Sequence, residues 1–431
     1  MNYCSIRSMV LFPASAGLML FVFLVASCAT QQELQRISNE HETAASYYQE
    51  EGIDSVPSGF PVFYYDGTEW TQRALTLIEE AESFILIDSF LIGKHPQAMK
   101  VFYALGDAVD RGVEVRLMTD SASYYRFDRN TGDAVYVPIH KLRELGIQVI
   151  EYNPIRAWRF YRHVNLLDRD HRKFWIIDGE TVVAGGKNID PDSLADPHER
   201  GSLDGMTEIY SPKTAEILIE SFVHAWNQFS LNTLDTAQFP VPEADTDKYA
   251  TELWVFDQNM ESGSVTTAKF DSFLALAEDE LWLMQCYLIL TPGLLSRIEY
   301  AVEQGVEVHV ILSDNHVGGR FAYATFYCIL DLLQAGARVY IYESPTGSLL
   351  HKKMIIADDH LVSVGSANYN FRSQYLSREL SFVFDDPEVA KELNLFLHEV
   401  MEHAREIDKE EAKEYRGIIY FLSFLLMQLG G

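Results

Sequence analysis

One eight-residue pattern is written twice in this chain, as His171-Arg172-Lys173-Phe174-Trp175-Ile176-Ile177-Asp178 and as His351-Lys352-Lys353-Met354-Ile355-Ile356-Ala357-Asp358. Both copies read His-x-Lys-x-x-x-x-Asp. Both lead through a Gly-containing turn to an Asn 17 residues after the His, Asn188 and Asn368. Such a duplication restricts the fold to two related halves and the chemistry to one site built from both. A single histidine can attack phosphorus, but the departing oxygen then needs a proton, and a second histidine across the phosphate supplies it.

The halves match outside the motif as well. Phe84-Ile85-Leu86-Ile87-Asp88 and Leu281-Trp282-Leu283-Met284-Gln285 are apolar runs of buried-strand length, each followed by helical sequence. Arg111-Gly112-Val113-Glu114-Val115-Arg116 pairs with Gln304-Gly305-Val306-Glu307-Val308-His309, where a Gly ends a helix and an alternating strand begins. Leu145-Gly146-Ile147-Gln148-Val149 pairs in the same way with Ala335-Gly336-Ala337-Arg338-Val339. This strand-helix order predicts two homologous α/β halves, mainly parallel sheets flanked by helices, with the active site at their interface. The Pro-rich, acidic run from Pro240 to Asp247 marks the linker. The expected boundaries are a first domain over 62–235, a linker over 236–249 and a second domain over 250–431.

The ends carry a different signal. Met9 to Val25 is almost uninterrupted apolar sequence behind Arg7, the pattern of a secretion signal, and Val25-Ala26-Ser27-Cys28 resembles the lipobox of bacterial lipoproteins. The expectation is a signal peptide over 1–27, an acylated Cys28 and a tether over 28–61. Because Ala29 follows the cysteine, the chain is expected in the bacterial cell envelope, on the periplasmic side of the outer membrane. The competing reading is an uncleaved span of about 17 residues, at the lower limit for crossing a bilayer. The apolar tail from Gly417 to Leu429 could touch lipid but is expected to cover the core as a terminal element.

With 34 Lys and Arg against 63 Asp and Glu and a net charge of −29, the chain is poorly suited to binding a phosphate backbone over a broad surface, so nucleic acid is an unfavoured partner. Cys286 and Cys328 lie in strand-like and helix-like runs and are read as core residues. No Cys/His cluster implies a metal, and no Gly-x-x-x-x-Gly-Lys loop or Gly-x-Ser-x-Gly elbow implies another phosphate or acyl chemistry. No cofactor and no obligate protein partner are expected.

Within each motif the His and Lys are two apart on a predicted strand, so both side chains leave from one face and reach one anion. The apolar residues that follow hold the strand in the core. Gly185-Gly186-Lys187-Asn188 and Gly365-Ser366-Ala367-Asn368 place small residues and an amide where backbone can approach a phosphate and the Asn can donate to it. On these residues the chain resembles the phospholipase D superfamily over roughly Val62 to the C-terminus, with two intact motifs. Arg169-Asp170 before the first motif, Gly185-Gly186-Lys187-Asn188-Ile189, and Gly365-Ser366-Ala367-Asn368 leading to Arg372-Ser373 are most similar to the bacterial cardiolipin synthase branch. The chain departs from that branch at Ser211, usually Gly, and at Ser377, usually Asn.

The resemblance implies that His171 is the nucleophile and His351 the general acid and base, that Lys173, Lys353, Asn188 and Asn368 bind the nonbridging oxygens, and that Asp204 and Glu379 orient the histidine rings. Removing one oxyanion donor should then cost on the order of 3 kcal/mol in the barrier. Asp178 and Asp358 are expected to be structural. His163 and His198 lie near the first motif and are read as solvated, while Tyr124, Tyr125, Trp158, Phe160 and Tyr161 suit either a lipid-facing rim or ordinary packing. The implied activity is a phosphatidyltransferase or phospholipase D acting on phospholipid at a membrane, with an alcohol or water as acceptor. The alternative is a nucleic-acid phosphodiesterase of the same superfamily.

Overall fold

The computed structural model of the chain describes residues 29–125, 135–155, 167–196, 198, 201–259, 264–314 and 319–428. Among the described residues nine strands precede the linker: β1 (Ser55–Ser58), β2 (Val62–Tyr64), β3 (Phe84–Ser89), β4 (Glu114–Asp120), β5 (Gln148–Tyr152), β6 (Arg169–Asp170), β7 (Lys173–Ile177), β8 (Thr181–Gly185) and β9 (Met206–Tyr210). Eight follow it: β10 (Thr251–Gln258), β11 (Glu280–Gln285), β12 (Glu307–Ser313), β13 (Arg338–Tyr342), β14 (Met354–Ala357), β15 (Leu361–Gly365), β16 (Ser377–Asp385) and β17 (Ala404–Glu406). One sheet runs β2-β9-β8-β7-β3-β4-β5, the other β1-β10-β16-β15-β14-β11-β12-β13-β17. The order β9-β8-β7-β3-β4-β5 repeats as β16-β15-β14-β11-β12-β13, so the sequence repeat is also a repeat of topology.

The expectation of mainly parallel sheets is wrong. Only β3-β4-β5 and β11-β12-β13 pair in parallel within those two orders, while every other neighbouring pair in them is antiparallel. The cause is loop length. Parallel neighbours need a helical crossover, and the helices Pro96–Asp110 and Pro292–Glu303 supply it, whereas each motif strand turns straight back through Asp178-Gly179-Glu180 or Asp358-Asp359-His360. Asp178 and Asp358 take left-handed backbone angles in those turns, φ 52° and 51°. Each carboxylate accepts three backbone N–H groups, from Glu82, Ser83 and Phe84 in one half and from Glu278, Asp279 and Glu280 in the other. The last motif residue thus ties its hairpin to the start of the central strand.

One buried cluster spans the two halves. Phe84, Leu86, Phe174 and Phe222 of the first pack in a single buried cluster with Leu350, Phe382, Phe384 and Phe396 of the second. Residues 29–58 do not form a free tether. A helix over 29–40 and the helix Ala44–Glu50 bury Leu34, Ile37, Tyr47 and Tyr48 in the second half's core, and β1 adds to β10. The sequence hid this because the helices are short and their apolar positions too few to establish a period. In the linker, Pro240 and Val241 lie against Gly179, at φ 74°, so closely that a Cβ there would meet the Pro240 carbonyl at 2.7 Å. The tail forms the helix Ile418–Gln428, which lays Tyr420 and Phe424 against the helix Gly319–Ala335 and leaves Ile418, Ile419, Leu422 and Leu425 exposed.

The expected placement as an envelope lipoprotein is not retained. Among the described residues no helix is long and apolar enough to cross a membrane, and Cys286 and Cys328 are both buried. Residues 1–27 and Cys28 lie outside the described residues.

Candidate active site

Each motif histidine sits just before its strand and is tied to the opposite half. β6 pairs with β16, and the His171 N–H donates to the Arg378 carbonyl at 3.0 Å, which brings His171 beside Glu379. In the same way the His351 N–H donates to the Leu203 carbonyl at 2.7 Å, beside Asp204. The side chains repeat the exchange. His171 Nδ1 lies 3.0 and 3.1 Å from the two Glu379 oxygens, and His351 Nδ1 lies 2.6 Å from Asp204 Oδ2. Both carboxylates are 1 % exposed, and both rings keep 17 % of their side-chain surface open.

These contacts fix the tautomer. An ionised carboxylate only accepts, so the proton sits on Nδ1 and the lone pair on Nε2. Among the described residues neither Nε2 has a hydrogen-bond partner. Burial, opposed by the carboxylates and assisted by nearby lysines, lowers both histidines to about 4, so both rings are neutral near pH 7. Burial pushes Glu379 up, but the His171 ring, Lys173 and the Ser366 hydroxyl outweigh it and hold the carboxyl at about 2. Asp204 is likewise pushed up by burial and held well below the usual carboxylate range by Lys353, His351 and Lys187. Ser366 and Ser373 both donate to Glu379.

Lys173 and Lys353 reach back to the carbonyl of their own histidine. Lys353 Nζ also lies 2.8 Å from His351 Nδ1 and 3.8 Å from Asp204. Since the Nδ1 proton is committed to Asp204, Lys353 acts there as a charge and not as a donor. Burial, with Lys353 nearby and Glu379 opposing, lowers Lys173 to about 7. The Lys353 charge reaches His171 and the Lys173 charge reaches His351, so the motif side chains of the two halves lie within electrostatic range of one another. Asn188 and Asn368 are held by their backbone N–H groups on Ser193 and Ser373 hydroxyls. Asn188 Oδ1 accepts from the Leu91 N–H, which directs its amide NH2 the other way, and Asn368 Oδ1 is buried with no partner among the described residues. This set of cations and N–H donors suits an oxyanion and offers a metal ion few ligands. Among the described residues the one group of three ligating side chains is Glu40, His41 and Glu50, where Arg36 already pairs with both glutamates.

Several groups escaped the sequence reading. Phe90, one residue after β3, and Tyr287, two residues after β11, meet His171 and His351 edge-on with centroids 4.9 and 5.9 Å away. Behind His171, Arg172 is fully buried between Asp170 at 2.7 Å, Asp257 at 2.9 Å and Asp88 at 3.0 Å. Arg378 lies 3.6 Å from the same Asp170, so this cluster locks the two halves together behind the site. The Arg169-Asp170 pair ahead of the motif was the available signal. His198 is exposed, with its N–H on Asp196, whereas Trp158, Phe160, Tyr161 and His163, and the side chain of Tyr125, lie outside the described residues.

A family profile described as cardiolipin synthase, PLD-like domain matches residues 74–226 and 271–400. Cardiolipin synthase A of Buchnera aphidicola subsp. Acyrthosiphon pisum is 30 % identical over 346 residues, covering 76 % of this chain and 67 % of the relative. A probable cardiolipin synthase of Bacillus subtilis, YwiE, is 24 % identical over 79 % of this chain and 66 % of its own length. The chain therefore spans about two thirds of the length of the curated relatives it matches. In fold it resembles the phosphatidylserine synthase of Haemophilus influenzae Rd KW20, with a TM-score of 0.68 at 13 % identity, covering 88 % of this chain and 97 % of the other.

Proposed function

Because the chain belongs to the phospholipase D superfamily, in the group related to bacterial cardiolipin synthases, we propose that it transfers a phosphatidyl group from a glycerophospholipid to an alcohol through a phosphohistidine on His171. The superfamily is one of enzymes. The observation that carries the reading is the crossed pair of neutral imidazoles, each held by a carboxylate of the other half with Nε2 unengaged.

In the first step the His171 Nε2 lone pair attacks phosphorus, forming the N–P bond as the P–O bond to the leaving alcohol breaks. The His351 Nε2 proton passes to that oxygen. A bound phosphodiester anion raises the proton affinity of both rings, so His351 takes up a proton from solvent at Nε2 as the substrate binds, and that is the proton passed to the leaving oxygen. In the second step the acceptor's O–H proton goes to His351 Nε2, its oxygen attacks phosphorus and the N–P bond breaks. Lys173, Lys353, Asn188 and Asn368 meet the nonbridging oxygens, whose charge grows in each transition state. Phe90 and Tyr287 beside the rings favour an acceptor carried on a lipid over bulk water. With phosphatidylglycerol as donor and acceptor, the products are cardiolipin and glycerol.

The test gives the full chain, in detergent micelles, phosphatidylglycerol, phosphatidylcholine with and without a primary alcohol, and single-stranded DNA, alongside His171→Ala and His351→Ala. Cardiolipin and glycerol in equal amounts, lost in both variants, are expected. DNA cleavage without lipid turnover would overturn the substrate class, and turnover that survives both variants would overturn the mechanism.

A further inference from the structure

The internal repeat provides its own control for two buried lysines that the mechanism does not use. Lys187 follows Gly186 in the turn that leads to Asn188, and the other half carries Ala367 at that position, so the turn itself needs no lysine. Lys187 is 2 % exposed, and its ammonium donates to the Ser202 carbonyl at 3.1 Å and the Ser193 carbonyl at 3.5 Å. Ser202 lies two residues before Asp204. Lys352, also 2 % exposed, takes the place of Arg172, but where Arg172 has three carboxylates, Lys352 has no hydrogen-bond acceptor among the described residues. Its Nζ rests on Gly205, the residue after Asp204, so closely that a Cβ there would lie 2.0 Å away. The rings of Tyr65 and Phe63 lie 5.1 and 5.8 Å from it.

Buried ammonium groups are expensive unless something negative shares the space, and what these two share is Asp204. The halves differ in how they treat their carboxylates. Glu379 receives hydroxyl donors from Ser366 and Ser373. Asp204 cannot copy the first, because a Cβ on Gly186 would stand 2.2 Å from Asp204 Oδ1. We propose that Lys187 and Lys352 are positioning residues for the His351–Asp204 pair, their charges holding Asp204 as an anion set to accept the His351 Nδ1 proton, as Ser366 and Ser373 do for Glu379. This rests on the transfer reading for the role of His351, though not for the pairing itself.

The charges around the pair agree. Burial lowers Lys187 and Lys352 to about 8, and Asp204 is the leading charge that opposes the loss of their protons. Asp204 is faced by Lys353, His351 and Lys187, and His351 by Lys353, Asp204 and Lys173. Asp66, Asp190 and Glu69 add negative charge near Lys187, and the Cys286 thiol senses both Lys353 and Asp204.

The full chain carrying 15N-imidazole histidine is titrated by NMR as wild type, Lys187→Ala, Lys352→Met and Lys187→Arg, with His171→Ala and His351→Ala assigning the signals. Removing a positive charge stabilises the protonated ring, so His351 should titrate higher by about half a unit or more in the first two variants. His171 should stay in place, and Lys187→Arg should restore the wild-type value. With phosphatidylglycerol, kcat should fall about tenfold at near-constant KM, as when a ring-orienting group is lost. An unmoved His351 in a folded Lys187→Ala protein, or equal shifts at both histidines, overturns the proposal. If wild-type protein turns over no phospholipid, the transfer reading fails while the titration still decides the pairing. Because alanine is the residue the other half uses, Lys187→Ala decides alone if Lys352→Met does not fold.

Discussion

Replacing Glu379 by glutamine removes one charge and one acceptor from the His171 side without changing side-chain length. Glu379 accepts from His171 Nδ1 at 3.0 Å and from the buried hydroxyls of Ser366 and Ser373. Glutamine can satisfy the serines, but its amide NH2 must then compete for a place beside the ring. If it faces His171, the proton moves to Nε2 and the lone pair that attacks phosphorus is lost. The lost charge-assisted hydrogen bond alone is worth about 1.5–3 kcal/mol, or roughly 10- to 150-fold in kcat, and the wrong tautomer adds to that. Because Glu379 does not touch the phosphate in this account, KM should change little. The assay is initial rate against phosphatidylglycerol in mixed micelles, with a thermal melt to establish folding. Glu379→Asp, which keeps the charge but falls short of the ring, should lie between. A folded Glu379→Gln protein with kcat within twofold of wild type would mean that Glu379 does not set the His171 tautomer, and so would a change confined to KM.

Further outcomes follow from the same geometry. Gly186→Ala should lower kcat at least about tenfold, because its Cβ would lie 2.2 Å from Asp204 Oδ1 and push the carboxylate off His351, whereas Ser366→Gly, which removes one donor without a clash, should cost less; paired rate assays compare them. Asp358→Ala leaves three backbone N–H groups without their acceptor at a left-handed residue and should lower stability on the order of 2 kcal/mol with kcat little changed, as read by urea unfolding. Stability should also fall as pH drops from about 6.5 to 4. His171 and His351 have folded values near 4, below their unfolded value, so the unfolded chain binds more protons across that window. Each ring then removes up to about 1.4 kcal/mol per pH unit, and His171→Ala should flatten the slope of unfolding free energy against pH.

The motif side chains at the candidate site were legible because each is part of a doubled local pattern. His171, Lys173, Asn188 and their counterparts stand at fixed spacings that one strand-turn-strand unit explains. The pairing of rings with carboxylates was not legible, since Asp204 and Glu379 each follow the motif of their own half in sequence, and only β6 against β16 and Leu203 against His351 cross them over. Sheet direction was misread because β7 and β14 are as apolar as parallel core strands, and burial on both faces erases the alternation that marks a hairpin. Tyr48 and Leu34 were lost in a segment too short for a period. Lys187 and Lys352 look like surface charges in sequence; only the fold reveals that both are buried beside Asp204.

The proposed reaction passes through a covalent intermediate on one histidine. Phosphatidylglycerol labelled in its phosphate, mixed with enzyme and quenched in alkali within the first turnovers, should leave label on the peptide that contains His171. The label should be absent from the His351 peptide and from His171→Ala protein. Label on His351, or full turnover with no protein-bound phosphate at any quench time, would contradict the account.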